Sequence, residues 1–166
     1  MTFSFYTVSS HYCDFLRKAD PKVPFTMDKK ANRPFVGIIL EINGFKYYAP
    51  LTSPKKKHLS MKNQVDFRKI NDGEWGAINF NNMIPVVDSC LNKIDLHILA
   101  TDSEEEVKYK NLLINQLSWC NSNKESLLTQ AAKLYGFIVS GTAWDGLTAR
   151  CCNFIVDEEQ SKKYKI

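Results

Sequence analysis

The 166-residue sequence contains no run of about 18 or more apolar residues, so it offers no membrane-spanning helix. Its opening, MTFSFYTVSSHY, lacks a basic stretch followed by an apolar one, and no secretory signal is expected. There is no CxxC pair, and the adjacent Cys151 and Cys152 cannot readily share a relaxed disulfide. Five scattered cysteines therefore imply reduced thiols, a cytoplasmic setting and no structural zinc site. Also absent are the GxxxxGK phosphate loop, a strand-anchored GxGxxG, HExxH and GxSxG, which removes several enzyme classes at once. The three histidines, His11, His58 and His97, lie far apart, and no acids pair at metal-ligand spacing. No metal or cofactor is expected. Repeats, low-complexity segments and linkers are missing too, so residues 1–166 are expected to form a single domain.

What is present is a substantial core: 44% hydrophobic residues, including 10 Phe, 7 Tyr and 3 Trp, which argues against disorder. The net charge of +4 is unevenly spread. Residues 1–69 hold 13 Lys plus Arg against five Asp plus Glu, whereas residues 70–166 hold nine against 13. A polyanion-binding face in the N-terminal half is one reading; solvated strand edges are the other.

Residues 3–9 read as a strand, and Ser9 or Ser10 as the cap of a short helix. The stretch FVGIILEINGFKYYAPL is the clearest element: two β-rich runs around Asn43-Gly44, a dipeptide suited to a tight hairpin turn. Further strands are expected in VDFRKI and GAINF, the latter making a second hairpin with MIPVV across Asn81-Asn82. Beyond residue 103 the period becomes helical. Ser103 with Glu106, and Ser122 with Glu125, have capping-box spacing for two consecutive helices, and a short helix is expected after Asn153. Gly141 to Gly146 reads as a loop. The fold class is α+β: a compact, strongly bent antiparallel β-sheet core with packed helices.

The chemistry is concentrated in APLTSPKKKH, residues 49 to 58. A strand end followed by Thr52, Ser53, Pro54 and Lys55 places two hydroxyls and a cation at the mouth of a sheet, with Pro54 stiffening the turn. Cleavage of RNA by its own 2′-hydroxyl needs a proton acceptor, a proton donor for the leaving 5′-oxygen, and cations facing the phosphorane. Hydroxyls and lysines suffice for this without a metal. From these residues alone, an exposed basic turn is the favoured reading, because lysine-rich loops are common.

Together, FYTVSSHYCDFL, RPFVGIILEINGFKYYAPLTSPK, INFNNMIPV, YKNLLINQL and the late CNF resemble the toxins of type III toxin–antitoxin systems, the ToxN/AbiQ family, in order and spacing. The resemblance implies a sequence-selective, metal-independent endoribonuclease with a sheet core distantly similar to the MazF and Kid toxins. It implies products ending in 2′,3′-cyclic phosphate and 5′-hydroxyl. It further implies a small pseudoknot RNA antitoxin that the toxin processes from a repeat precursor, target mRNA as substrate, a closed RNA-bridged oligomer, and a role in phage defence by abortive infection. The family's active-site motif falls on Thr52, Ser53 and Lys55, and its upstream basic position on Arg33. Lys55 would bind phosphate and take part in proton transfer. Ser53 would position the 2′-hydroxyl, Thr52 hold phosphate or shape the turn, and Arg33 stabilise phosphorane charge. Relatives can carry lysine where this chain has Arg33, which assigns Arg33 an electrostatic role. Some also have a tyrosine shortly upstream, where this chain has Lys29 and Lys30. Lys29, Lys30, Lys56, Lys57 and Lys62 are expected RNA-backbone contacts, Tyr12 a base-stacking residue, and His58 a bystander. A non-catalytic RNA-binding module is the alternative.

Overall fold

Seven strands gather around the Asn43-Gly44 hairpin in the computed structural model, which describes residues 1–27 and 30–165. β1 (Ser4–Val8) leads into α1 (Ser10–Arg17), whose first turn is closed by Ser9 Oγ accepting from the Tyr12 amide. β2 (Phe35–Ile42) and β3 (Phe45–Thr52) form the expected hairpin; Asn43 and Gly44 have φ of 52° and 82°, the left-handed values a two-residue turn requires. Short strands follow: β4 (Phe67–Lys69), β5 (Ala77–Asn79), β6 (Ile84–Pro85) and β7 (Leu91–Lys93). All pairings are antiparallel, in the order β4-β5-β3-β2-β1-β7, with β6 also on β3.

The expected second hairpin is not formed. β5 pairs with Leu51 and Thr52 at the far end of β3, whereas β6 pairs with Tyr47 and Tyr48 nearer its start. A 3₁₀ turn at Phe80–Asn82 carries the chain from one position to the other along the same edge. The long β3 offers enough unpaired backbone for both strands, and that edge outcompetes a local turn. The register between β2 and β3 shifts between Val36 and Leu40, an irregularity that adds to the bend of the sheet.

The helices α2 (Glu104–Ser122), α3 (Lys124–Ser140), α4 (Asp145–Arg150) and α5 (Phe154–Lys163) complete the chain. Ser103 caps α2 as its spacing predicts, its Oγ accepting from the Glu106 amide at 3.1 Å. Ser122 does not cap α3: it is the last residue of α2, and Asn123 alone separates the helices. The segment read as a loop at 141–146 opens into α4. Arg150, at the end of α4, makes a two-pronged ion pair with buried Asp66, 3.0 Å at Nε and 3.0 Å at Nη2. One cluster of buried apolar residues joins sheet and helices, with Tyr47, Tyr135 and Phe154 packed ring to ring. Among the described residues no helix is long and apolar enough to cross a membrane.

Candidate active site

Where β3 ends, the chain turns out of the sheet with Ser53, Pro54 and Lys55 exposed and Thr52 half-buried. The turn is held from below. Thr52 pairs with Ala77 of β5, and the Asn79 amide Nδ2 donates to Thr52 Oγ1. Gly76 passes so close beneath that a Cβ would collide with the Thr52 carbonyl oxygen, and its φ of 86° is one that other residues rarely adopt. The lysine run then forms a 3₁₀ turn, Lys56–Leu59. Its last contact is reciprocal: the Lys55 amide donates to His58 Nδ1 at 3.1 Å, and the His58 amide to the Lys55 carbonyl at 2.9 Å. Burial, with Lys57 and Lys55 nearby, lowers the His58 pKa and keeps the ring neutral as an acceptor.

Arg33 arrives from the other side of the hairpin, just ahead of β2. Its Nε donates to the Leu51 carbonyl at 3.1 Å, while the Leu51 amide donates to Pro34 at 2.9 Å. Burial lowers the guanidinium's pKa from its usual high value, and arginine stays cationic nonetheless. Arg33, Thr52, Ser53 and Lys55, with Lys30, Asn32, Pro34 and Leu51, line a cleft of about 490 Å³ whose remaining wall is α2, through Tyr109, Leu112, Leu113 and Gln116. No carboxylate lines it among the described residues. Three cations and two aliphatic hydroxyls around one cleft form a receptor for a phosphate.

Residues 4–162 match the family model described as toxin ToxN of type III toxin–antitoxin systems. The chain belongs to this toxin family. It is 33% identical over 165 residues to the endoribonuclease ToxN of Bacillus thuringiensis subsp. kurstaki, covering 97% of this chain and 84% of that protein. To the endoribonuclease ToxN of Pectobacterium atrosepticum it is 32% identical over 168 residues, covering 96% of this chain and 92% of the relative. Among solved structures, one from work on selective toxin inhibition by a non-coding RNA pseudoknot superposes with a TM-score of 0.82 at 32% identity, covering 99% of this chain and 98% of that one. The lactococcal anti-phage endoribonuclease AbiQ superposes at 0.85 with 24% identity, covering 99% and 98%, and shares the fold.

The cleft of this family member unites Arg33, Thr52, Ser53, Lys55 and Lys30, which the sequence singled out. Lys56, Lys57 and Lys62 are exposed but do not line it; Lys29 lies outside the described residues. Tyr12 is a correction. It is 0% exposed, with its hydroxyl donating to the Pro85 carbonyl and lying 3.0 Å from Ser161 Oγ, so it packs α1 against β6 and α5 and cannot stack on a base. His58 is more than a bystander, since it ties down the loop that carries Lys55. His97 is exposed, with Nδ1 2.6 Å from Asp95. Asp20, Cys152 and Asp157 come within metal-ligand reach of one another, yet they are buried and none lines the cleft.

Sequence reading missed the α2 wall. Tyr109, Leu112, Leu113 and Gln116 have the i, i+3, i+4, i+7 spacing of one helical face, a signal present in YKNLLINQL. Burial raises the Tyr109 phenol pKa, leaving it a protonated aromatic surface. A stripe facing a cleft has the same spacing as one facing a core, so only the tertiary structure distinguishes the two.

Proposed function

We propose that the chain is an endoribonuclease that cuts RNA in this cleft, without a metal, by attack of the substrate's own 2′-hydroxyl. The 2′-oxygen forms a bond to phosphorus as its proton passes to water, and the P–O5′ bond breaks as the 5′-oxygen takes up a proton. The products are a 2′,3′-cyclic phosphate and a 5′-hydroxyl. Ser53 Oγ positions the 2′-hydroxyl. Lys55 Nζ binds a non-bridging oxygen and is placed to hand a proton to the leaving 5′-oxygen. Arg33, pinned by its Nε, directs its remaining guanidinium donors at the phosphorane charge. Thr52, whose Oγ1 already accepts from Asn79, shapes the turn and retains its O–H to donate.

The observation that supports this best is the convergence of Arg33 with Thr52, Ser53 and Lys55, which lie 19 to 22 positions further along the chain, on one cleft without a described acid. That the Bacillus and Pectobacterium relatives are endoribonucleases supports the same reading. By analogy with the toxin selectively inhibited by an RNA pseudoknot, the partner of this chain is a small pseudoknot RNA. In our reading the chain processes that RNA from a repeat precursor, and the RNA bridges subunits in a closed assembly. The setting is phage defence within the cytoplasm, with mRNA as target. Lys30, Lys56, Lys57 and Lys62 grip the RNA backbone beside the cut.

The test is cleavage of a synthetic RNA by the purified protein in EDTA, with product ends identified by mass spectrometry. Cyclic phosphate and 5′-hydroxyl ends are expected, and a single 2′-deoxy substitution at the cut site should stop cleavage there. Cleavage of the deoxy substrate, or loss of activity in EDTA, would exclude the mechanism.

A further inference from the structure

One polar atom in the wall of the cleft is left without a partner. Gln116, on the face of α2 that also carries Tyr109, Leu112 and Leu113, is 2% exposed. Its Nε2 donates to the Trp75 carbonyl at 2.8 Å. That bond fixes the orientation of the amide, because turning it over would set two oxygens against each other. Oε1 then remains a shielded acceptor with no hydrogen-bond partner among the described residues. Buried polar side-chain atoms are paired in the large majority of cases, so an orphan acceptor in a ligand cleft marks a place for the ligand to supply the donor.

We infer that Gln116 is a specificity-determining residue that accepts a hydrogen bond from the 6-amino group of an adenine or the 4-amino group of a cytosine seated in the cleft. The inference rests on the cleft being the RNA cleavage site. A phosphate cannot be the partner, since it offers only acceptors, and Arg33, Ser53 and Lys55 already serve it. A base attached to a phosphate at those residues can reach α2, which lines the same cleft. There Leu112 and Leu113 supply apolar surface and the half-exposed Tyr109 an aromatic ring of the kind on which bases stack. Adenine and cytosine carry an amino group at the 6- or 4-position, whereas guanine and uracil carry a carbonyl oxygen there, which would face Oε1 with like charge. The cleft accordingly prefers an amino base to a keto base at one position of the cut sequence.

The experiment begins by mapping the strongest cut in a mixed-sequence RNA. Oligonucleotides spanning it are then made in which each adenosine is replaced in turn by purine riboside, and each cytidine by its 4-deamino analogue. For the wild-type protein, one replacement should lower kcat/KM about tenfold or more, equivalent to about 1.4 kcal/mol for a single hydrogen bond. Gln116→Met, of similar length but without an acceptor, should cut the parent and that analogue equally. The inference is overturned if no amine-free replacement slows the wild type, or if Gln116→Met discriminates as the wild type does. The wild-type series decides by itself if the variant fails to fold. Failure of the wild type to cut any RNA would instead refute the cleavage reading.

Discussion

Neither Ser53 Oγ nor Lys55 Nζ has a hydrogen-bond partner among the described residues, and both side chains stand exposed at the end of β3. Neither is tied to the fold by a described hydrogen bond, which leaves both side chains free for the roles proposed for them. Ser53→Ala and Lys55→Ala should each lower the cleavage rate by about 10²- to 10⁴-fold. Their unfolding free energies should stay within about 0.5 kcal/mol of the wild type, as for other surface changes. Cleavage assays beside urea denaturation separate the two effects, and a Ser53→Ala protein cutting at the wild-type rate would remove the hydroxyl from the chemistry. Arg33 differs because it has both duties: its Nε secures the β3 end while the rest of the guanidinium faces the cleft. Tyr12 is the reverse case, an aromatic beside a polar helix cap whose ring went entirely to the core.

At the scale of elements, the lysine turn is a short segment that depends on one buried side chain. His58 is 1% exposed, and its Nδ1 satisfies the Lys55 amide. His58→Leu keeps most of the volume but leaves that amide without its acceptor, at a cost of about 1–3 kcal/mol. Thermal denaturation should show the loss of stability, and cleavage should fall because Lys55 is no longer held at the cleft. A wild-type rate in this variant would show that the turn places Lys55 without the histidine. The sign of the pH effect follows from the same bond. The folded pKa of His58 is depressed, so its contribution is present above the ordinary value near 6.5 and is lost as pH falls through the lower folded value.

For the molecule as a whole, the buried acids under α5 set the response to pH. Asp157 is 0% exposed, and burial, followed by the charge of Asp20, pushes its carboxyl up to about 9. Asp20, which accepts from the Lys22 and Asn153 amides at 3.2 and 2.7 Å, lies beside it. Glu158, next in the chain, is satisfied by the hydroxyls of Tyr47 and Tyr135 at 2.9 and 2.7 Å. Because the folded pKa of Asp157 lies above its ordinary 3.8, the folded state holds a proton that the unfolded chain releases. Its contribution is therefore complete below about pH 4 and declines as pH rises to about 9, by up to ~1.4 kcal/mol per pH unit. Urea midpoints should fall across that window in the wild type and fall less steeply in Asp157→Asn, which mimics the protonated acid. Parallel slopes in the two proteins would show that Asp157 does not carry the effect.

The sequence by itself determined the parts governed by neighbours in the chain. Asn43-Gly44 required left-handed backbone and produced the hairpin; Ser9, Ser103 and Asn153 supplied side-chain oxygens to nearby amides and started helices. The motif around Thr52, Ser53 and Lys55 was legible because its residues lie within four positions, and family resemblance added Arg33. Tertiary structure decided whatever depended on competition between distant partners. The free edge of β3 took β5 and β6 from the hairpin they would have made together, and the core claimed Tyr12 and His58. The α2 wall also belongs to that second group, because periodicity reveals a face but not what it faces. Only its placement across from the end of β3 and residues 30–34 made the stripe from Tyr109 to Gln116 the side of a cleft, with one acceptor left open.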